Sequence, residues 1–237
     1  MSELYIKPAH KIVLRFLSEL IKYVKTGKPT LEVLKGFPAY FRYNRKMVLP
    51  LEAKLPWINH FAFERLQTLI RPDFRVLEFG SGGSTLYFKE NVSYVYSIEH
   101  DAKWFEIVKS NCQTSNHIEL NLITPEFDKN APEIYRSKHG LYSEGQSFKD
   151  YSHGADHLQD ASFDLLLIDG RARPTCLENS ISKLKPGGIL IFDNSDRESY
   201  QYIISKLLKG WEMEKFAGVT IYDAFFNQTS VFIKPSS

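Results

Sequence analysis

The sequence predicts an α/β fold in which a doubly wound, mostly parallel seven-stranded sheet has helices on both faces and follows a helical N-terminal extension. Three observations lead to this prediction. Short apolar runs alternate with segments of helical periodicity from about residue 75 onward. A glycine-rich turn, Gly80-Ser81-Gly82-Gly83, directly follows the first apolar run. Residues 1–55 differ from the rest because they are strongly basic.

Length and composition indicate one domain with an extension. A chain of 237 residues that is 43% hydrophobic can bury a sizeable core, so we expect an extension over 1–55 and a domain over 56–237. The only cysteines, Cys112 and Cys176, lack the spacing of a metal or redox motif, which favours a reducing compartment. The chain has no run of about twenty apolar residues and no apolar region typical of a signal peptide. We therefore expect a cytoplasmic protein.

The extension combines positive charge with a helical apolar stripe. Residues 1–55 hold eleven Lys or Arg against four Glu, a net charge of +7, although the whole chain carries only +2. The stripe consists of Ile12, Val13, Phe16, Leu17, Leu20, Ile21 and Val24. Such a helix fits docking on its own domain or a homodimer contact, and it also fits an anionic membrane surface or a polyanionic partner.

Two segments link the extension to the sheet. Residues 36–46 mix aromatic side chains with cations, a composition that suits stacking on bases or sugars. A nucleic-acid binder carries a larger basic excess over its whole domain, so we expect a cap over the active site and no nucleic-acid partner. Residues 56–70 show helical periodicity that ends before Pro72, and this helix is expected to cover the first strand and the cofactor mouth.

The first strand–turn–helix unit predicts a nucleoside-containing cofactor. Residues 75–79 have the pattern of a buried strand, the small residues after it allow a tight turn close to a ligand, and a helix follows at 84–90. Residues 94–98 then form the next parallel strand. Glu99 follows this strand, where a carboxylate accepts hydrogen bonds from ribose hydroxyls.

The remaining elements complete the alternation. We expect further helices at 101–111, 175–184 and 198–208, and further strands at 118–123, 163–168, 188–192, 212–217 and 229–234. Two of these strands end in carboxylates, Asp169 and Asp193. Open α/β sheets bind ligands at the carboxyl ends of their strands, so both carboxylates are candidates for the site.

Residues 125–160 interrupt the alternation with a long polar and aromatic insertion. Loops of this length in a compact domain are often functional, and we expect a substrate lid whose later part lines the adenine pocket. The alternative is a surface insertion with solvated histidines. Within the lid, His153 and His157 are candidate proton acceptors near neutral pH.

Four segments resemble a known family. A dinucleotide site requires a third glycine where this chain has Thr85, so the NAD alternative is weakened. The pattern Glu78-x-Gly80-x-Gly82-x-Ser84 instead resembles the first motif of the Rossmann-like (class I) S-adenosylmethionine-dependent methyltransferases. Three further segments match that family in order, namely Ser97-Ile98-Glu99-His100, residues 163–170 and residues 184–194.

The resemblance implies S-adenosylmethionine as cofactor and an antiparallel last strand. It assigns Glu99 to the ribose and His100 to the edge of the adenine. The methionine end would be held by Gly80, Ser81, Gly82 and Ser84, and Glu78 would be a further cofactor-binding residue.

A second, partial resemblance concerns a metal. Asp169, Asp193 and Asn194 are placed similarly to the Mg²⁺ site of the catechol and caffeoyl-CoA O-methyltransferase group, and such oxygen ligands suit a hard cation. The lysine base of that group would fall at Ala172, so the base here is left open between Asp169 and the two lid histidines. Alternatively, Asp193 and Asn194 only cap the following turn.

The expected reaction is O-methylation of a small-molecule or carbohydrate-like acceptor. Candidate substrate contacts are Arg171, Arg173, Arg197 and Tyr200, because guanidinium groups grip carboxylate, phosphate or acidic sugar groups. Two alternatives stay open. One is a non-catalytic subunit that binds the cofactor or a membrane surface. The other is an aminopropyltransferase-like enzyme, which the cationic cluster disfavours because that chemistry uses an acidic polyamine pocket.

Overall fold

The computed structural model describes residues 7–25, 30–46, 48–112, 115–137 and 144–236. The N-terminal part forms helices α1 (Ala9–Val24), α2 (Thr30–Lys35), α3 (Phe37–Arg45), α4 (Pro50–Ala53) and α5 (His60–Leu69). The first half of the sheet region contains β1 (Arg75–Phe79), α6 (Gly83–Asn91), β2 (Tyr94–Glu99), α7 (Ala102–Cys112) and β3 (Ile118–Leu122). The second half contains β6 (Phe163–Ile168), α9 (Arg173–Ser180), β7 (Leu184–Asp193), α10 (Glu198–Leu207), β8 (Glu212–Gly218) and β9 (Asn227–Ile233).

The main sheet has seven strands in the order β3-β2-β1-β6-β7-β9-β8. Five neighbouring strands are parallel, namely β3, β2, β1, β6 and β7. Strand β9 runs antiparallel to both of its neighbours, β7 and β8. The predicted doubly wound, mostly parallel sheet of seven strands is therefore confirmed. The strand order changes direction between β1 and β6, and at such a point an open α/β sheet leaves a crevice for a ligand.

Alternate residues of the central strands bury opposite faces of the sheet, as the two-residue period of a strand requires. Val76 and Leu165 belong to the core on one face, which the N-terminal helices α1, α3 and α5 cover. Leu77 and Leu166 belong to the core on the other face, which α8 (Lys149–Ser152), α9 and α10 cover. Because both faces are covered, the strands are apolar on both sides, as the sequence pattern indicates.

Strand β7 is longer than predicted. It begins at Leu184, whereas the sequence pattern predicts residue 188, and its register against β6 shifts between Phe163 and Leu165. This irregularity accommodates residues 185–188, which include the Pro-Gly-Gly sequence, within the strand.

The extension packs on its own domain. The Phe16 ring of α1 lies 5.4 Å from the ring of Phe226, which precedes β9, and Tyr40 of α3 donates a hydrogen bond to the Ala224 carbonyl oxygen at 3.0 Å. Ile12, Phe16 and Tyr23 are buried in the same core as the sheet. The inner face of α1 is therefore used for packing, in line with the first of the alternatives above. No helix in the described part of the chain has the length and apolar character needed to cross a membrane.

The insertion is ordered where it is described. It contains the short antiparallel pair β4 (Glu126–Phe127) and β5 (Gln146–Ser147), a 3₁₀ turn at Glu133–Tyr135, and α8 (Lys149–Ser152). Thr175 of α9 donates a hydrogen bond to the Ile134 carbonyl oxygen at 2.6 Å, and Asn179 donates one to the Ser152 carbonyl oxygen at 3.1 Å. The insertion thus packs against α9. The expectation for residues 138–143 lies outside the described residues.

Candidate active site

A cavity of about 870 Å³ opens at the carboxyl edge of the parallel strands. The connections after β1, β2, β6 and β7 form its floor, as the change of strand order predicts. Two remote segments form its walls, residues 48–57, where the extension meets the domain, and residues 220–227 between β8 and β9. Backbone hydrogen bonds at the ends of these segments tie them together. The His60 N–H donates to the Val219 carbonyl oxygen at 2.8 Å, and the Ile221 N–H donates to the Ile58 carbonyl oxygen at 3.0 Å.

The turn after β1 brings bare backbone to the cavity. Gly80 has a φ of +95°, a region that favours glycine, and a Cβ there would lie 2.9 Å from the Cα of Gly170. The connections after β1 and β6 are therefore in direct backbone contact. Gly80, Ser81 and Gly82 all line the cavity, so the predicted turn brings its backbone to this site. Its three N–H groups donate hydrogen bonds within the fold, to the Ile98 carbonyl oxygen, Glu99 Oε2 and Thr85 Oγ1.

Glu99 holds this turn in place. Its Oε2 accepts hydrogen bonds from the Ser81 backbone N–H and hydroxyl, both at 2.9 Å. Its Oε1 accepts from the backbone N–H groups of His100 at 2.7 Å and Asp101 at 2.9 Å. Burial opposes ionisation, but the His100 ring and these backbone donors together lower the pKa of Glu99. An ionised carboxylate with its acceptor positions filled therefore lies at the edge of the cavity.

His100 and Trp104 lie beside Glu99 in the cavity wall. His100 Nδ1 lies 2.8 Å from Glu99 Oε1, and its ring packs edge-on against Phe148 at 5.5 Å and Tyr151 at 5.6 Å. Trp104 donates a hydrogen bond from Nε1 to the Ser81 carbonyl oxygen at 2.8 Å. Both aromatic rings line the cavity. Trp104 was not predicted as a site residue, although its position in the first helical turn after Glu99 can be read from the sequence.

Glu78 is not a cavity residue, which corrects its assignment as a cofactor ligand. It is completely buried, and it accepts hydrogen bonds from the hydroxyl of Ser84 at 2.8 Å and from that of Thr85. Burial raises the pKa of Glu78 to about 7, against the lowering effect of its hydroxyl donors. Glu78 therefore fixes the start of α6 from behind the turn. Ser84, by contrast, lines the cavity as well.

Arg173 joins the two strand-end aspartates. Its guanidinium donates to Asp193 Oδ2 at 2.9 Å and to Asp169 Oδ1 at 2.8 Å. Asp193 Oδ1 accepts further hydrogen bonds from Asn227 at 2.9 Å and Thr229 at 2.6 Å. The carboxylates raise the pKa of Arg173 against the effect of burial, so its positive charge is permanent.

These residues do not fit the predicted Mg²⁺ site. The guanidinium already supplies the positive charge between Asp169 and Asp193, and Asp193 is engaged through both oxygens. The third proposed ligand, Asn194, accepts a hydrogen bond from Arg197 through its side-chain oxygen. In the described ranges, no group of three or more His, Cys, Asp or Glu side chains is placed to hold a metal ion. The chain therefore resembles the metal-dependent group in the types of these three residues but not in the placement of their side chains.

Arg171, Asn194 and Arg197 line the cavity near the ends of β6 and β7. Asn194 has a φ of +51°, a strained conformation for a residue with a side chain, and such strain often marks a functional site. Arg197 also donates a hydrogen bond to the Tyr200 hydroxyl at 2.9 Å. Tyr200 does not line the cavity, so it positions Arg197 and is not itself placed for substrate contact.

The lid histidines are not brought to this site. His153 Nδ1 pairs with Asp156 Oδ2 at 2.8 Å near the surface, and His157 Nε2 lies 3.2 Å from the Tyr96 hydroxyl. Neither residue lines the cavity, and no other described residue of 125–160 does. The assignment of His153 and His157 as bases is therefore corrected, because the insertion packs on α9 and behind His100, away from the cavity entrance.

The cavity entrance contains aromatic residues that the sequence analysis missed. Trp57 and Phe225 line the entrance, with 51% and 54% of their surfaces exposed. Tyr222, also at the wall, has a φ of +54°. No local signal marks these residues, because each reaches the cavity through contacts between distant parts of the chain.

Comparisons with known proteins give structural likenesses only. No protein-family model matches the chain, and no curated protein matches it. A methyltransferase from Pyrococcus furiosus is 18% identical over 74% of this chain and 82% of its own, with a TM-score of 0.45. A methyltransferase-like protein from Silicibacter pomeroyi is 23% identical over 73% of this chain and 85% of its own, with a TM-score of 0.46.

A third solved structure contains a ligand. Aeropyrum pernix fibrillarin, in complex with natively bound S-adenosyl-L-methionine, is 14% identical over 69% of this chain and 67% of its own, with a TM-score of 0.46. These likenesses concern the fold alone. The strand order β3-β2-β1-β6-β7-β9-β8 is that of the doubly wound, mostly parallel sheet that the sequence predicts.

Proposed function

We propose that this chain is an S-adenosylmethionine-dependent methyltransferase that methylates a hydroxyl group of a small, carbohydrate-like acceptor. One observation carries the proposal. Glu99, the backbone of Gly80 to Gly82, and Asp169 all line one cavity at the point where the strand order changes direction. A single pocket thus combines groups suited to a nucleoside with a carboxylate suited to proton transfer.

The residues at one end of the cavity fit the cofactor. Gly80, Ser81 and Gly82 would lie against its methionine end with their backbone. Glu99 would accept a hydrogen bond from a ribose hydroxyl that replaces the Ser81 hydroxyl on Oε2. The rings of His100 and Trp104 offer apolar surface for the adenine. When bound, S-adenosylmethionine supplies an electrophilic methyl group on a sulfonium.

The residues at the other end support a hydroxylated acceptor. Trp57 and Phe225 expose aromatic faces at the entrance, while Asn194 and Arg197 present amide and guanidinium groups deeper in the cavity. Flat apolar faces beside planar polar groups suit a ring with several hydroxyls. The arginines disfavour a polyamine acceptor, since like charges repel.

Asp169 is the candidate general base. Its side chain is one fifth exposed, toward the cavity, and Arg173 fixes its orientation. Burial and the neighbouring Asp193 raise the pKa of Asp169 well above its ordinary value, against the lowering effect of Arg173. A carboxylate with a raised pKa is a stronger proton acceptor, and alignment plus proton removal is most of what methyl transfer requires of a protein.

We also propose that the protein works in the cytoplasm. Both of its cysteines, Cys112 and Cys176, are buried free thiols in the structure. Free buried thiols suit a reducing compartment.

Calorimetric titration with S-adenosylhomocysteine tests the cofactor assignment. We expect micromolar binding to the native chain and at least tenfold weaker binding to Glu99→Gln, which cannot accept all the hydrogen bonds that Glu99 accepts. Glu119→Gln, on the neighbouring strand β3, is the matched control because Glu119 is exposed, accepts a hydrogen bond from the Tyr94 hydroxyl and does not line the cavity. Failure of the native chain to bind would refute the cofactor assignment.

Transfer of a labelled methyl group to a panel of sugar acceptors tests the reaction. Asp169→Asn should lower kcat by about 10² or more while leaving S-adenosylhomocysteine affinity within threefold of the native value. The native rate should rise with pH, since the base acts only when ionised and its pKa is raised. A variant with native kcat would rule out Asp169 as the base.

A further inference from the structure

We propose that the outward face of α1 and α2 docks on the surface of an anionic lipid bilayer. This inference does not depend on the proposed function. The outward face is defined by Leu14, Leu17, Ile21 and Val24 of α1 and by Leu31 and Leu34 of α2.

The apolar residues of the outward face are exposed and regularly spaced. Leu14, Leu17, Ile21 and Val24 have 64%, 46%, 59% and 50% of their surfaces exposed. Their spacing of three, four and three residues places them on one side of the helix, over about 15 Å. Leu31 and Leu34, 67% and 46% exposed, add a shorter apolar stripe on α2.

This face is not needed to hold α1 on the domain. Ile12, Phe16 and Tyr23, which lie on the opposite side of the helix, are the residues buried in the core. The Phe16 ring alone packs against three aromatic rings, at 4.9 to 5.4 Å. The helix therefore has two apolar faces, and among the described residues only the inner face is covered.

The positive charge near the outward face favours an anionic partner. The only acidic residue of α1, Glu19, lies on the buried side and pairs with Lys22 at 2.8 Å. Lys25 directly follows α1 beside the apolar stripe, and Lys11 lies on the flank of the helix, where it also lines a cleft with Tyr40. Residues 1–55 have eleven cationic residues against four glutamates. An apolar stripe with a basic flank suits an anionic bilayer, where lysine stems extend along the apolar boundary and their ammonium groups reach the headgroups.

A second copy of the chain fits this face less well. Two copies meeting through it would bring two extensions of net charge +7 together, and like charges at an interface oppose association. An anionic surface instead turns the same charge into attraction.

Flotation of the full chain with vesicles tests the proposal. Vesicles of phosphatidylcholine mixed with phosphatidylglycerol should carry the native chain, whereas pure phosphatidylcholine vesicles should carry at least about tenfold less. Leu14→Ser/Ile21→Ser should weaken binding about tenfold or more, because two exposed apolar side chains no longer enter the bilayer. Ile107→Ser is the matched control, since Ile107 is 46% exposed on α7, and it should bind as the native chain does.

Charge and self-association are tested separately. Lys11→Gln/Lys25→Gln should weaken binding to the anionic vesicles about tenfold, and added salt should weaken native binding in the same direction. An unchanged thermal midpoint confirms that each variant is folded. Absence of vesicle binding, or equal binding by Leu14→Ser/Ile21→Ser, would overturn the proposal. So would a native dimer, detected by sedimentation, that this variant abolishes without any effect of lipid.

Discussion

The Arg173 guanidinium donates a hydrogen bond from Nη1 to Asp193 Oδ2 at 2.9 Å, at the carboxyl end of β7. The same group reaches Asp169 at the end of the adjacent strand β6, so one buried cation orients both strand-end carboxylates. Asp169 is the more exposed of the two carboxylates at the cavity, because Asp193 is enclosed by Arg173, Asn227 and Thr229. In the proposed function, Asp193 therefore has a structural role and Asp169 accepts the proton.

Arg173→Met should strongly destabilise the fold. It removes the cation between two largely buried carboxylates, and breaking such a pair from one side costs about 3–5 kcal/mol in free energy of unfolding. Urea denaturation at neutral pH measures this loss. Arg65→Met is the control: Arg65 pairs with Glu214 at 2.8 Å but both side chains are about one third exposed, so the loss should be below about 1 kcal/mol. Equal losses for the two variants would contradict the pairing.

Gly83→Ala should be far more damaging than Gly82→Ala. A Cβ at Gly83 would lie 2.1 Å from the Leu55 carbonyl oxygen and 2.4 Å from that of Pro50, so α4 would have to move. A Cβ at Gly82 meets nothing closer than 3.7 Å, from Trp104, and its φ of 164° is open to other residues. We expect a loss of about 1–3 kcal/mol for Gly83→Ala and a much smaller loss for Gly82→Ala, measured by urea denaturation. The reverse order would show that α4 is displaced at no cost.

This contrast shows what the sequence pattern predicts and what it misses. The pattern locates the turn correctly, and Glu99 and Asp169 lie at strand ends as predicted, because these features depend on local order along the chain. It does not show that Gly83 is required by the extension, since that contact joins residues almost thirty positions apart. The cavity walls at 48–57 and 220–227 were missed for the same reason.

The metal prediction failed for a different physical reason. The residue types at Asp169, Asp193 and Asn194 do suit Mg²⁺, and their strands are adjacent as expected. However, Ala172 has a φ of +43°, so the chain turns sharply before α9 and Arg173 lies between the carboxylates. Residue identity alone does not reveal that side-chain placement.

Glu78→Gln should reduce the pH dependence of stability. The pKa of Glu78 is raised by burial from 4.5 to about 7, so the folded chain keeps a proton that the unfolded chain releases. Stability from this group is therefore full below pH 4.5 and is lost as pH rises to about 7, by about 3 kcal/mol in all. Urea denaturation at about pH 5 and pH 8 should show a smaller difference for Glu78→Gln than for the native chain. Glu119→Gln, a surface control, should keep the native difference.

Ser81→Ala should bind the cofactor at least as tightly as the native chain. The Ser81 hydroxyl donates a hydrogen bond to Glu99 Oε2 at 2.9 Å. In the proposed complex a ribose hydroxyl takes this position, so removal of the Ser81 hydroxyl leaves an acceptor open for the ligand. The unliganded variant should lose about 1–2 kcal/mol of stability, because the buried carboxylate then lacks one donor. Titration with S-adenosylhomocysteine and urea denaturation measure the two effects. A tenfold loss of affinity would mean instead that the hydroxyl contacts the cofactor directly, and that Glu99 exchanges a different donor for the ribose.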